Sequence, residues 1–266
     1  MTRIAFLGQG PLGEACFSEL LRSQAGVVVA VSNSNDTNWW KSNAIFKACV
    51  DESIEFIDNS SRNDAALVAA IKHHDVDTII SVQHSWIVSE EALNLVSGNA
   101  FNLHMAKLPE YKGHHPFIHV LLNGETSHTV TLHRMTPRVD VGDIAYELTF
   151  PITPEDTAHS LYYQSLEIGK TLFQQFVLDL TSNIPIPARA MDGSHRFYSR
   201  KSINGLDLIT DPFDFTELDK KVRAFFFPPF PSAFLELNGK KYHVLPAVTG
   251  REELRALESD GFLGKS

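Results

Sequence analysis

The sequence predicts an α/β protein with a Rossmann-like, mainly parallel sheet, helices on both faces of that sheet and a small C-terminal β-rich appendage. Three observations predict this fold. Apolar runs of strand length alternate with amphipathic helical segments along most of the chain, as in parallel sheets that are covered on both sides. A glycine-rich turn joins the first apolar run to the first helix, and a strand–Asn-Gly–strand pattern lies near the C-terminus.

The first half of the chain supplies the parallel strands. An apolar strand over residues 3–7 is followed by Gly8-Gln9-Gly10-Pro11-Leu12-Gly13, which opens a helix that ends near Ser23. Ser89 has a side chain suited to a helix N-cap. Further strands are predicted over residues 27–31, 54–57, 77–82 and 100–104, and further helices over residues 64–73 and from residue 89 onward.

The second half continues with an apolar helix over residues 116–122 that Asn123-Gly124 closes. Strands over 127–135 and 145–150 and a long amphipathic helix over 156–180 follow. Prolines at positions 185 and 187 then break the pattern. We therefore expect a main domain over residues 1–183 and a small β-rich region over residues 184–266.

The C-terminal region is rich in aromatic residues. Strands over residues 233–237 and 241–245 are predicted to form a β-hairpin across Asn238-Gly239. The aromatic side chains suit a substrate pocket, a subunit interface or the core of the region itself. A homodimer is the expected assembly.

Composition limits the function classes. The 266 residues carry a formal net charge of −9, which argues against the large basic surface that nucleic-acid binding requires. Cys16 and Cys49 are too few for a disulfide framework and are interpreted as buried thiols of a reducing compartment. No apolar stretch is long enough to span a membrane, so a cytoplasmic protein with no membrane partner is expected.

The candidate catalytic residues begin at the end of the strand over residues 100–104. Period-2 alternation puts Asn102 and His104 on one face of this strand, and Phe101 and Leu103 on the other. An amide and a protonated imidazole side by side can both donate hydrogen bonds to a carbonyl that is becoming an oxyanion. A nearby carboxylate would keep the imidazole protonated and oriented, and Asp140 is the candidate.

These residues belong to a longer ordered set. Asn-x-His at 102–104 is followed by Leu108-Pro109-Glu110-Tyr111-Lys112-Gly113, by Asn123-Gly124 and by Asp140-Val141-Gly142-Asp143-Ile144. Over roughly residues 2–180, this set resembles the folate-dependent formyltransferase family. The resemblance implies that Asn102, His104 and Asp140 are catalytic and that residues 1–183 are the catalytic domain. It also implies 10-formyltetrahydrofolate as the co-substrate and a primary amine as the acceptor.

The resemblance further implies where the pterin binds. In relatives, the pterin is held largely by main-chain groups of the loop after the fourth or fifth strand and of the turn before the catalytic Asp. The bulky, polar His84-Ser85-Trp86 departs from the family pattern, and Trp86 is equally suited to core packing under the loop. By position, the cofactor candidates are Gln83, His84, Ser85, Trp86, Ile87, Thr136, Val139 and Asp140.

Three branches of the family differ in their acceptor. The glycinamide ribonucleotide branch is shorter, and the methionyl-tRNA branch has a longer, basic C-terminal domain. The short tail and the acidic charge favour the branch that formylates nucleotide-linked amino sugars, typically 4-amino-4,6-dideoxyhexoses destined for surface polysaccharide. The candidates for binding this substrate are Gly10, Pro11, Lys107 and Lys112 for the phosphates, and Tyr198, Arg200 and Phe227 in the tail.

Two alternatives remain open. The glycine-rich turn fits a dinucleotide fingerprint, so an NAD-binding Rossmann protein is possible, although Ser32 and Asn33 occupy the place of the expected acidic residue. His115 and His119 stand at i, i+4 and could hold zinc, but no glutamate lies between them in the H-E-x-x-H sense. No metal is expected.

Overall fold

The computed structural model describes residues 2–37 and 39–247, and at residue 61 the backbone alone. This part of the chain divides into two compact units, each made of three segments of the sequence. The first contains residues up to 110, 130–148 and 166–195, and the second contains residues 111–129, 149–165 and those from 196 onward. The domain boundary expected between residues 183 and 184 stays a prediction. No helix within the described ranges is both long and apolar enough to cross a membrane.

Strands and helices alternate along most of the chain as predicted, and the helices over residues 44–51 and 215–224 were not predicted. In chain order they are β1 (Ile4–Gly8), α1 (Gly10–Arg22), β2 (Val27–Ser32), α2 (Ala44–Asp51), β3 (Glu55–Asp58), α3 (Asp64–His73), β4 (Thr78–Val82), α4 (Glu90–Leu95), β5 (Ala100–His104), β6 (Lys112–Gly113), α5 (Pro116–Leu122), β7 (Ser127–Arg134), β8 (Ile144–Pro151), α6 (Ala158–Thr181), β9 (Phe197–Tyr198), α7 (Phe215–Ala224), β10 (Phe234–Leu237) and β11 (Lys240–His243).

Seven strands form one sheet in the order β3-β2-β1-β4-β5-β7-β8. The five strands from β3 to β5 are parallel, and β7 pairs with β5 in the antiparallel direction. The predicted fold class is therefore confirmed. Because parallel strands end at the same edge of a sheet, the residues that follow β1, β4 and β5 meet at one edge.

Both faces of the sheet are covered. Ala5 and Leu7 of β1 belong to a buried cluster with Leu67 of α3 and with α4. Phe6 points to the opposite face, where its ring lies 5.3 Å from that of Phe17 in α1. This alternation follows from the period-2 side-chain pattern of a strand.

The second unit has its own core and its own small sheets. Leu121 of α5, Leu161 of α6 and Val222 of α7 are buried in one cluster. β6 pairs with β9, and β10 pairs with β11 in an antiparallel hairpin. Asn238 and Gly239 both have positive φ angles, as the tight turn of such a hairpin requires. The predicted hairpin is confirmed.

One helix boundary differs from the prediction. The long helix was expected to begin at Asp156 and begins instead at Ala158. Thr157 is the N-cap, because its Oγ1 accepts a hydrogen bond from the Ser160 N–H. The Asp156 carboxylate accepts from the Thr153 N–H and from Ser160 Oγ, which fixes the chain before the helix.

Candidate active site

Asn102 and His104 lie at the carboxyl end of β5, as the sequence predicted. Phe101 and Leu103 are buried in the core behind them, so the predicted alternation is observed. β5 lies between β4 and β7 in the sheet. In the register of these pairs, Asn102 is opposite Ser81 on one side and opposite His133 on the other.

Asp140 approaches this strand from the loop that follows β7. Its Oδ1 lies 3.8 Å from His104 Nδ1 and 3.6 Å from His133 Nε2. The side chains of His104 and Asp140 are only 12% and 9% exposed. The structure thus brings together the three residues that the sequence selected, in a largely dehydrated position where electrostatic interactions are strong.

A side-chain hydrogen bond and two residues with positive φ angles shape the loop that carries Asp140. Thr136 Oγ1 donates to the Val141 carbonyl, 2.9 Å away, which spans the loop. Asp140 has φ +49°, in the left-handed region. Gly142 has φ +134° and passes so close to the Arg134 carbonyl that a Cβ atom would collide with it. The half-buried Val139 lies in the same loop. The chain therefore accepts local strain where it presents the carboxylate.

The Asn102 amide is fixed by two buried neighbours that sequence reasoning missed. Ser81 Oγ donates to Asn102 Oδ1 over 2.9 Å, and Asn102 Nδ2 lies 3.2 Å from His133 Nε2. Ser81 is a polar residue between the apolar Ile80 and Val82, and His133 follows the apolar Leu132, so both positions are visible in the local pattern. Connecting His133 with Asn102 also requires the pairing of β7 with β5, which no local pattern shows.

The predicted folate loop follows β4. Gln83 turns back toward α1, and its Oε1 accepts a hydrogen bond from the Leu12 N–H at 3.3 Å. Both ring nitrogens of His84 are buried and have no hydrogen-bond partner among the described residues. Burial lowers the pKa of His84 to about 3. Ile87 is mostly exposed.

Ser85 and Trp86 join a network of amides at the ends of β1, β2 and β3. Trp86 Nε1 donates to Asn59 Oδ1 at 2.6 Å, and Asn59 Nδ2 lies 3.0 Å from both Ser85 Oγ and Gln9 Oε1. Gln9 Oε1 also accepts from Asn33 Nδ2 at 3.2 Å. We call these five residues the amide network. It occupies the strand ends where a dinucleotide-binding protein would hold its ribose.

The phosphate-side candidates of the first unit have local partners. Gly10 has φ +72°, and Pro11 lacks an N–H group. The Leu12 N–H, which an anion at the start of α1 would use, is bonded to Gln83. Lys107 forms an ion pair with Glu110 at 2.9 Å. An anion would therefore have to compete with these contacts.

The remaining candidates lie in the second unit. The Tyr198 ring stacks on His119 at 3.8 Å, and its hydroxyl accepts from Asn123 Nδ2 at 3.2 Å. Phe227 lies among aromatic rings, including Tyr162 at 5.2 Å. Lys112 lies in β6 and pairs with Phe197 in β9, and the exposed Arg200 accepts a hydrogen bond at its carbonyl. Tyr198 and Phe227 thus have packing partners of their own.

The histidine pair considered for zinc has other contacts. His119 Nε2 lies 2.8 Å from Ser202 Oγ, and His115 Nε2 lies 3.1 Å from the Arg200 carbonyl. Burial, and secondarily the charge of His115, lowers the pKa of His119 to about 4. Within residues 2–37 and 39–247, no group of three or more His, Cys, Asp or Glu side chains is arranged to hold a metal ion.

Comparison with known proteins identifies the family of the chain. The profile of a family described as Formyl transferase matches residues 2–177, about two thirds of the chain. The chain belongs to the formyl transferase family. This formyltransferase is 27% identical over 259 residues to the GDP-perosamine N-formyltransferase of Brucella melitensis, and the match covers 97% of this chain and 98% of that protein.

Solved structures agree with this assignment. A sugar 3N-formyl transferase, WlaRD, crystallised in the presence of dTDP and 5-N-formyl-THF, is 25% identical with a TM-score of 0.71, covering 91% of this formyltransferase and 84% of that chain. An N-formyltransferase from Helicobacter canadensis in complex with folinic acid and dTDP-3-aminofucose shares the fold, with 24% identity, a TM-score of 0.73 and coverage of 91% and 86%. The predicted family is confirmed, and the comparisons support its sugar N-formyltransferase branch.

Proposed function

We propose that this formyltransferase transfers the formyl group of 10-formyltetrahydrofolate to the primary amine of a nucleotide-linked amino sugar of the 4-amino-4,6-dideoxyhexose kind. The observation that carries the chemistry is the convergence of Asn102, His104 and Asp140 at the end of β5. The acceptor class is supported by the Brucella relative, because that match extends over nearly the full length of both chains.

The reaction has two bond changes. The neutral amine attacks the formyl carbon, a new C–N bond forms, and the carbonyl oxygen becomes an oxyanion. The tetrahedral intermediate then collapses, the bond between the formyl carbon and N10 of the folate breaks, and N10 takes up the proton that the amine lost. The enzyme must stabilise the oxyanion and move this proton.

Asn102 and His104 are proposed to hold the oxyanion. Asn102 Nδ2 has one hydrogen directed at His133, and its second hydrogen has no partner among the described residues. This second N–H and a protonated His104 can donate to the same oxygen, since both side chains project from one face of β5. Losing one such donor typically lowers turnover by roughly a hundredfold to a thousandfold.

Asp140 is proposed to stabilise the cationic form of His104 and, with an ordered water molecule, to collect the proton of the amine. Its separation of 3.8 Å from His104 Nδ1 is an ion-pair distance that exceeds a direct hydrogen bond. Catalytic hydrogen bonds are often long before substrate binds and shorten in the complex. The buried carboxylate is thus placed to act on His104.

The binding sites are proposed by position. The folate is assigned to the loop over residues 83–87, which follows the strand next to β5, and to Thr136, Val139 and Asp140 in the loop that carries the proposed catalytic carboxylate. The nucleotide diphosphate is assigned to Gly10, Pro11, Lys107 and Lys112, and the nucleoside to Tyr198, Arg200 and Phe227. A homodimer in the cytoplasm completes the proposal.

A coupled assay for tetrahydrofolate release tests the function. The purified enzyme is given 10-formyltetrahydrofolate and a panel of GDP-, dTDP- and UDP-linked sugars with an amine at C3 or at C4, together with glycinamide ribonucleotide and methionyl-tRNA. Release with a C4-amino nucleotide sugar supports the proposal. Release only with a C3-amino sugar would contradict the position of the amine, and release only with the ribonucleotide or the tRNA would contradict the acceptor class.

A further inference from the structure

His133 is a buried residue of the site to which the proposed mechanism assigns no role. It lies on β7 directly opposite Asn102, and its side chain is only 2% exposed. Both ring nitrogens have partners at hydrogen-bond distance. Nδ1 lies 2.8 Å from the carbonyl oxygen of Arg134, and Nε2 lies 3.2 Å from Asn102 Nδ2.

For a neutral His133 ring, these two distances determine the tautomer. A carbonyl oxygen only accepts, so Nδ1 must carry a proton. In a neutral imidazole the other nitrogen is then an acceptor, and Asn102 must turn its NH2 group toward Nε2. Ser81 Oγ donates to Asn102 Oδ1 at 2.9 Å, a hydrogen bond that fits the same orientation and holds the other end of the amide in place.

The orientation of this amide matters for the oxyanion. In the arrangement described, Asn102 offers its second N–H to the reacting oxygen. If His133 carried protons on both nitrogens, Nε2 would donate, and Asn102 would have to rotate and present Oδ1 to it. The NH2 group would then lie on the Ser81 side, and the donor would be lost from its position.

We propose that Ser81 and His133 are positioning residues that hold the Asn102 amide in its donating orientation, with His133 as a neutral ring protonated on Nδ1. This inference rests on the oxyanion role proposed for Asn102. Asp140 Oδ1 lies 3.6 Å from Nε2 of the same ring and 3.8 Å from His104 Nδ1, and neither distance is that of a direct hydrogen bond. Asn102, at 3.2 Å, is the nearer partner of His133 Nε2, and the carboxylate charge acts on both rings.

Two substitutions at one position separate positioning from packing. In His133→Gln, the side-chain NH2 can donate to the Arg134 carbonyl and the side-chain oxygen can accept from Asn102, as the neutral imidazole does. His133→Leu keeps an apolar volume and removes both functions. We expect kcat of the Gln enzyme to stay close to that of the wild type. We expect kcat of the Leu enzyme to fall by roughly tenfold to a hundredfold, which is less than the fall expected when an oxyanion donor is removed. KM for the folate should stay nearly unchanged.

A matched control uses another buried histidine of the same strand. His128 packs against the rings of Phe117 and Phe150, and His128→Leu should leave kcat unchanged. Ser81→Ala, which removes the hydrogen bond at the other end of the amide, should lower kcat in the same sense as His133→Leu. A Gln enzyme as slow as the Leu enzyme, or a fully active Leu enzyme, would overturn the inference.

A second measurement does not depend on activity. Nitrogen NMR of histidine-labelled protein near neutral pH, with the His133 signals identified by their loss in His133→Gln, reports which ring nitrogens carry protons. We expect protonation of Nδ1 alone; protonation of Nε2 or of both nitrogens would overturn the inference. If no acceptor of the panel is formylated, the proposed function fails while this measurement still decides the state of His133.

Discussion

Two polar clusters lie at the carboxyl edge of the same sheet, and their hydrogen bonding differs. The first consists of Ser81, Asn102, His104, His133 and Asp140, and we call it the catalytic cluster after its proposed role. Its Asn102 has its oxygen and one N–H bonded to protein, and the second N–H has no partner among the described residues. In the amide network, Asn59 Nδ2 has three acceptors within 3.3 Å, and Asn59 Oδ1 accepts from Trp86 and Ser85. Asn102 thus keeps a donor available, whereas the hydrogen-bonding capacity of Asn59 is filled by the protein.

The difference separates a reactive site from a structural one. A fully satisfied buried network specifies and rigidifies the fold, because breaking it leaves polar groups without partners. A preorganised donor that is held by its neighbours and still available can stabilise charge that develops on a substrate. We therefore expect substitutions in the catalytic cluster to change turnover, and substitutions of Gln9, Asn33 and Asn59, which are assigned to no ligand, to change stability.

Asn102→Ala is expected to have the largest effect. It removes a proposed oxyanion donor, so kcat should fall by roughly a hundredfold to a thousandfold. Steady-state kinetics with the best acceptor of the panel measures this, and urea unfolding shows whether the variant is folded. An Asn102→Ala enzyme that is folded and as fast as the wild type would remove the amide from the mechanism.

The next prediction concerns acid stability and His84, whose pKa burial lowers from 6.5 to about 3. Between these pH values the unfolded chain binds a proton at this position and the folded chain does not, so stability is lost as the pH falls. This histidine alone should lower the free energy of unfolding by about 3 kcal/mol between pH 7 and pH 4.

Replacement of the histidine tests this assignment. Urea unfolding of His84→Leu at several pH values should show a smaller loss of stability in acid than the wild type shows. The matched variant is His119→Leu, where the pKa is lowered to about 4 and the reduction should be smaller. A His84→Leu protein with the acid sensitivity of the wild type would contradict the assignment.

The sequence predicted the features that depend on local pattern. Alternation placed Asn102 and His104 on one face of β5, because side-chain direction in a strand has a period of two residues. Asp140 was selected through the family motif, and the structure places it beside His104. The start of α6 was predicted two residues early, because Thr157 competes with Asp156 for the N-cap position.

The features that the sequence did not predict depend on distant pairs. His133 meets Asn102 across 31 residues of sequence, Gln9 meets Asn59 across 50, and Gln83 meets Leu12 across 71. None of these pairs follows from periodicity or from turn chemistry. Each becomes visible only when strand order and register place the side chains at one edge of the sheet.

Gly142→Ala tests the support of the catalytic cluster. The substitution puts a Cβ atom against the Arg134 carbonyl, the group that also accepts from His133 Nδ1, at a φ of +134°. We expect the free energy of unfolding to fall by about 3 kcal/mol and kcat to fall with it.

The control is Gly98→Ala, where φ is +83° but no atom lies within 4 Å of the new Cβ. It should cost about 1 kcal/mol and leave kcat unchanged. Equal effects at both positions would show that the Arg134 contact is unimportant.

Asn59→Ala is expected to have the smallest effect and to test the amide network directly. It leaves Trp86 Nε1 and Gln9 Oε1 without the partners that now lie 2.6 Å and 3.0 Å away. The free energy of unfolding, measured in urea, should fall by about 2 kcal/mol, and the fluorescence of Trp86 should change. The control is Asn94→Ala at an exposed position, which should stay within about 0.5 kcal/mol of the wild type. Because Asn59 donates to no substrate in the proposed mechanism, kcat should be retained. A loss of kcat as large as that of Asn102→Ala, without a loss of stability, would mean that the amide network takes part in the chemistry. The distinction between the two clusters would then fail.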